Sequence, residues 1–126
     1  MFRKQPAKPT VMIVDDESLI RSALRKVLDR AGGFDIVAEA VDGIEGVEKA
    51  GDIRPQLILL DVAMPRMNGV EAYAAIRLVS PDSKIVILTS FFGMDKEFRE
   101  LGADGFLPKS ARIKEVSTTL RNLAPV

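Results

Sequence analysis

Side chains able to do chemistry stand directly after the apolar runs of this sequence. Asp15, Asp16 and Glu17 follow the run at 11–14, and Asp61 follows the run at 57–60. Thr89 and Ser90 follow the run at 85–88, and Lys109 comes just after a short run at 105–107. Such a set can hold a hard divalent cation. Mg2+ prefers oxygen ligands in octahedral geometry, keeps several waters, and is commonly held by one or two carboxylates together with phosphate oxygens. Asp15, Asp16 and Asp61 would supply the carboxylates. The metal would offset their mutual repulsion and let Asp61 attack a phosphorus that is itself negatively charged, forming an acyl phosphate. Lys109 would neutralise a second phosphoryl oxygen, and the Thr89 hydroxyl would donate to a third.

Each residue taken alone has a plainer reading. An Asp-Asp-Glu run before a helix ordinarily favours the positive helix end, and a strand-ending Asp is commonly a turn former. Thr89 alone is a β-branched strand residue, and Lys109 alone is a surface charge. These readings must hold independently at four strand ends. Joint placement favours a shared site, because ligands of an open α/β sheet bind beyond the carboxyl ends of its strands, where the strand order reverses.

The elements that must position this set are legible in the hydrophobic pattern. Strand-like runs at 11–14, 36–40, 57–60 and 85–88 are nearly continuous in Val, Ile, Leu and Ala, as expected where helices cover both faces of a parallel sheet. Residues 105–107 make a shorter fifth. Ile20, Leu24, Val27, Leu28 and Ala31 follow one helix face, and Gly32-Gly33 stops that helix. Asp42 with Glu45 forms a capping box that opens a second helix, ending near Gly51 before Pro55. Asn68 with Glu71 repeats the device for a third, which runs to Ser80-Pro81. A short fourth helix is expected at about 94–101, ending at Gly102. Ser110 is expected to cap the fifth, striped by Ile113, Val116, Leu120 and Leu123. Five strands alternating with five helices predict one α/β domain, a doubly wound parallel sheet at 10–126 behind a tail at 1–9.

Composition narrows the chemistry further. Apolar residues at 47% and charged residues at 29% suit a packed core, and no apolar run reaches the ~20 residues that span a bilayer. Residues 1–9 are polar and proline-broken, unlike a signal peptide, so a cytoplasmic location is expected. Eighteen basic and eighteen acidic residues balance, which argues against nucleic-acid binding by this segment. The chain has no histidine and no cysteine. That excludes Ser-His-Asp and Cys-His nucleophiles, the usual zinc sites, any disulfide and a phosphohistidine donor.

From Thr10 to about Leu123 the sequence resembles the receiver domains of two-component response regulators. The resemblance rests on VMIVDDE at 11–17, LILLDVAMP at 57–65, MNG at 67–69, LTS at 88–90 and GADGFLPK at 102–109. It implies a flavodoxin-like (CheY-like) sheet of strand order 2-1-3-4-5. It also implies an acidic pocket of Asp15 and Asp16, phosphorylation at Asp61, and Mg2+ (or Mn2+) completed by the backbone carbonyl of Ala63. Thr89 and Phe106 become the switch pair, and Lys109 the phosphate contact. The implied donor is a sensor histidine kinase or a phosphotransfer protein, and a homodimer is compatible with the family. Such a domain is no enzyme beyond its own phosphorylation and dephosphorylation. FDIVAEAVDG at 34–43 and LPKSA at 107–111 are most similar to NarL/LuxR-type regulators, which usually control transcription through a C-terminal helix-turn-helix; the alternative is a stand-alone receiver acting through protein partners.

Two departures from the family pattern carry expectations. Pro108 precedes the lysine and Ser110 follows it, where most receivers have the proline after the lysine, so the loop bend should differ. The stretch from Thr89 to Gly102 is about two residues shorter than usual, so the fourth helix should be short or displaced. The resemblance also implies a switch: Thr89 donates to the phosphoryl group and Phe106 fills the space it leaves. Ala63 and Phe91 would flank the path of the hydrolytic water. Ala63 cannot orient a water and Phe91 is bulky, so slow self-dephosphorylation is expected.

Rival readings fit less well. A haloacid-dehalogenase phosphatase also uses a strand-end Asp and Mg2+, but needs a second Asp where Ala63 stands. A degenerate receiver acting only as a binding module would have lost an acidic residue or the lysine. A flavodoxin needs a Ser/Thr/Gly-rich phosphate loop where Asp15-Asp16-Glu17 stand.

Overall fold

The computed structural model describes residues 8–62, 68–89 and 95–124, with the backbone alone at Thr89 and Asp95. Strands β1 (Thr10–Val14), β2 (Asp35–Ala40), β3 (Leu57–Asp61), β4 (Lys84–Thr89) and β5 (Gly105–Pro108) alternate with helices α1 (Ser18–Ala31), α2 (Gly43–Ile53), α3 (Gly69–Val79), α4 (Asp95–Glu100) and α5 (Ile113–Leu123). The strands form one parallel sheet in the order β2-β1-β3-β4-β5. Fold class and strand order are as the sequence implied. Of the expected tail, residues 1–7 lie outside the described residues.

Alternate residues of each strand feed two cores, as the two-residue period of a strand requires. Met12, Val14, Ile58, Leu60, Ile85 and Ile87 pack with Ala50, Ala72, Tyr73, Ile76 and Phe98 on one face. Val11, Ile13, Leu57, Leu59, Val86 and Leu88 pack with Leu24, Leu28, Val116 and Leu120 on the other. The central strands are therefore sealed on both sides, which explains their unbroken apolar runs. Edge strand β2 is only partly buried apart from Ala40, and a register shift between Val11 and Met12 skips Val37 against β1.

Local devices seen in the sequence recur in the structure. The Asp42 side chain accepts from the Glu45 N–H and the Asn68 side chain from the Glu71 N–H, so α2 and α3 begin where the boxes put them. Gly32, at φ 72°, closes α1. Helix α2 runs on to Ile53, and Arg54 stops it in the left-handed region at φ 49° before Pro55, which disfavours helical backbone in the residue ahead of it.

Two helix expectations are corrected. Ser110 does not cap α5: Ala111 N–H bonds the Pro108 carbonyl, so Ser110 sits in that turn and Arg112 takes the cap position without a side-chain bond. That places Ser110 two residues ahead of the cap position, outside the place from which a side chain ordinarily caps. Helix α4 ends at Glu100 rather than Leu101, because the Gly102 N–H turns back to the Arg99 carbonyl and leaves Leu101 in a turn. This agrees with the expectation of a short fourth helix; Met94 lies outside the described residues. Fully buried Phe98 anchors α4, its ring edge-on to Tyr73 at 6.1 Å, while the Tyr73 hydroxyl donates to the Leu101 carbonyl.

Candidate functional site

The strand order reverses between β1 and β3, and this is where the acidic side chains gather. Asp15 directly follows β1 and Asp61 ends β3; both side chains are fully buried. Exposed Asp16 completes the group, and one carboxylate oxygen from each of Asp15, Asp16 and Asp61 lies within 4.8 Å of the others. Lys109, just past β5, reaches across β4 to this cluster. Its Nζ lies 3.1 Å from Asp61 Oδ2 and 3.4 Å from Asp15 Oδ2, with Glu17 Oε1 at 3.9 Å on the exposed rim.

Backbone packing brings these groups to one spot. Gly69, the first residue of α3, lies against Val62, so close that a Cβ there would stand 2.5 Å from Val62 Cβ and 2.7 Å from its Cα. Only glycine lets α3 start this near the residue after Asp61. Gly46 of α2 packs in the same manner on Val14, where a Cβ would approach Val14 Cγ1 to 3.1 Å.

The electrostatics follow from burial. Desolvation raises the Asp15 carboxyl above its ordinary range, against the lowering pull of the Glu17 N–H and Lys109, and neighbouring Asp16 adds to the rise. Burial works against the Lys109 charge as well, but the hydrogen bond and charge of Asp61, with those of Asp15, overcome it and raise the ammonium pKa. Lys109 is thus held protonated between two buried carboxylates. Asp15 Oδ2 is buried and faces this ammonium at 3.4 Å. A set of three oxygen donors with one such buried oxygen fits a hard divalent cation, so the cluster can hold a metal ion.

The structure thus brings together Asp15, Asp16, Asp61 and Lys109 as the sequence predicts. Thr89 is the last residue of β4, opposite Pro108 of β5. Phe106, half-buried in β5 opposite Ile87, packs against the α3–α4 side of the sheet, and the Arg99 guanidinium lies 4.4 Å from its ring centre. Ala63, Ser90 and Phe91 lie outside the described residues, as does the side chain of Thr89. One participant was missed from the sequence: the Arg21 guanidinium donates to the Asp15 carbonyl at 2.8 Å. An arginine one turn into an amphipathic helix carries no distinguishing spacing.

A parallel sheet of this order, with carboxylates at its β1 and β3 ends and a lysine after β5, defines an open α/β domain whose ligand-binding edge carries an acidic cluster able to hold a metal ion. Residues 11–121 match the response regulator receiver domain family, and the chain belongs to that family. It is 35% identical over 113 residues to the transcriptional regulatory protein LiaR of Bacillus subtilis, covering 88% of this chain and 54% of LiaR. It is 37% identical over 113 residues to a protein-glutamate methylesterase/protein-glutamine glutaminase of Geobacter metallireducens, covering 87% of this chain and 32% of that protein. The solved structure of a LuxR-family DNA-binding response regulator from Staphylococcus aureus superposes with a TM-score of 0.83 at 26% identity, covering 91% of this chain and 98% of that one. The chain therefore spans about half the length of the regulator and a third of the methylesterase. It is a receiver domain of the two-component response-regulator type. No helix among the described residues is long and apolar enough to cross a membrane.

Proposed function

We propose that this receiver takes a phosphoryl group from the phosphohistidine of a sensor histidine kinase, or of a phosphotransfer protein, onto Asp61. The observation that carries the reading is the buried pair Asp15 and Asp61 sharing the Lys109 ammonium, at 3.4 and 3.1 Å, beside exposed Asp16. An Asp61 carboxylate oxygen bonds to phosphorus as the phosphorus–nitrogen bond breaks. The electron pair leaves on the imidazole nitrogen, which takes a proton from solvent. Lys109 holds its positive charge where the phosphoryl oxygens arrive. Asp15 and Asp16, with Asp61 and the carbonyl of Ala63, would hold Mg2+, or Mn2+ in its place. When bound, the ion supplies positive charge against the phosphoryl oxygens.

Thr89 then donates its hydroxyl to the phosphoryl group, and Phe106 responds by packing inward. The acyl phosphate adds about −1.5 to −2 charges at Asp61, and differential contacts of a few kcal/mol suffice to shift two conformations strongly. The domain would act on nothing beyond its own phosphate, and its output would be transcription, by way of a DNA-binding domain like that of the LuxR-family relatives. The test is intact-protein mass after incubation with acetyl phosphate, with and without Mg2+, for the native chain and Asp61→Asn. A Mg2+-dependent gain of one phosphoryl mass that vanishes in the variant is expected. No gain in the folded native chain would refute the proposal.

A further inference from the structure

Asp15 is held at nearly every polar atom. Its N–H bonds the Ala40 carbonyl at 3.1 Å, and its Oδ1 accepts from the Glu17 N–H at 2.9 Å. Its carbonyl accepts from Arg21 at 2.8 Å. What remains is Oδ2, buried and turned toward Lys109 and the acidic cluster. Of these bonds the one to Arg21 is made by a side chain, and it spans from helix α1 back to the strand end.

Arg21 is itself braced. Its Nε lies 3.4 Å from Glu39 Oε1, and the other oxygen of that carboxylate takes two bonds from Arg25, at 3.1 and 2.7 Å. Lys49 Nζ, from α2, donates to the Glu39 carbonyl at 2.6 Å. The Arg21 side chain is only 17% exposed, so its guanidinium works in a partly dried setting where misplacement is costly. The Glu39 carboxylate, shared with Arg25, partly offsets the positive charge that Arg21 brings near the acidic cluster.

We propose that Arg21 is a positioning residue for the metal-binding carboxylates: it clamps the backbone of Asp15 so that Oδ2 points at the ion, and Glu39 keeps Arg21 on that carbonyl. The inference rests on the reading of Asp15, Asp16 and Asp61 as a Mg2+ site. Hydrogen-bonding partners behind metal ligands typically account for about 10- to 100-fold in metal affinity. Arg21→Met should therefore weaken Mg2+ binding about tenfold, and Glu39→Gln should weaken it in the same direction.

The experiment titrates MgCl2 against the intact chain and reads the dissociation constant from the dependence of the urea unfolding midpoint on Mg2+ concentration. The variants are Asp15→Asn, Arg21→Met, Glu39→Gln and Arg121→Met. The last removes bonds to the Ala31 and Gly32 carbonyls at the far end of α1, so it costs stability at a distance from the cluster. Weakened Mg2+ binding in Arg21→Met and Glu39→Gln, with Arg121→Met binding like the native chain, supports the clamp. Native Mg2+ affinity in folded Arg21→Met, with binding lost in Asp15→Asn, overturns the clamp and leaves the metal site standing. Absence of Mg2+ binding in the native chain overturns both. If Arg21→Met does not fold, Glu39→Gln decides: native affinity there overturns the clamp, and weakened affinity supports it.

Discussion

Removing the Lys109 ammonium without removing its bulk, by Lys109→Met, isolates the electrostatics of the site. In the native chain the ammonium lies 3.1 Å from Asp61 Oδ2 and 3.4 Å from Asp15 Oδ2. At an effective dielectric of about 20 each attraction is about 5 kcal/mol before desolvation. The carboxylate oxygens within 4.8 Å of each other repel by at least about 3 kcal/mol on the same scale. Burial of all three charges consumes most of the attraction, which leaves the intact triad near balance. Without the lysine, the repulsion and the desolvation of two fully buried carboxylates stand alone.

Breaking a buried pair in this way costs about 3–5 kcal/mol, and that is the expected loss in urea unfolding at pH 7 with chelator present. Mg2+ at a hundred times its dissociation constant adds about 2.7 kcal/mol to any chain that binds it only when folded, so the variant should recover much of its loss.

Acidity gives a second handle. Because the folded Lys109 pKa is raised above 10.5, its contribution is complete below that pH and is lost as pH rises through the folded value. The native chain should therefore show an alkaline loss that the variant lacks. The Asp15 pKa is raised above 3.8, so its ionisation costs stability once pH climbs past the unfolded value, and acidification toward that range relieves the cost. Losing Lys109 enlarges that cost, so the gap between variant and native chain should narrow on acidification. A loss below about 1 kcal/mol at pH 7, or a gap that does not narrow with acid, would refute the reasoning.

Three further outcomes are expected. Gly69→Ala should cost about 1–3 kcal/mol in urea unfolding, since its Cβ would press on Val62 backbone and side chain alike; a change within about 0.5 kcal/mol would mean α3 shifts freely. Thr89→Ala should take phosphate from acetyl phosphate yet show the same partner affinity before and after, measured on a kinase or output fragment. Ala63→Asn should lose its phosphate faster than the native chain in a radiolabel chase; slower loss would remove Ala63 from the path of the attacking water.

Much of this domain was legible in one dimension because its central strands are sealed on both faces. The unbroken apolar runs of β1, β3 and β4 could only be parallel strands under two helical layers, and the residue after each run then had to lie on the ligand-binding edge. The capping boxes of α2 and α3 were readable for a similar reason, since each works within four residues of chain. Ser110 failed as a cap because the Pro108–Ala111 turn, a matter of backbone path, put the cap position two residues past it. Likewise, Gly46 and Gly69 look like ordinary helix residues until Val14 and Val62 are placed against them.

Sequence alone determined the inventory: which carboxylates, which lysine, and the strand ends that carry them. Tertiary structure decided their charge states and their aim. Asp15 and Asp16 are neighbours in sequence, yet one is sealed with its carboxyl raised and the other is open to water. Arg21 acquires a role only because α1 folds back over the end of β1 and sets its guanidinium on a carbonyl six residues earlier. Residue identity is local, but desolvation and distance are properties of everything packed around it.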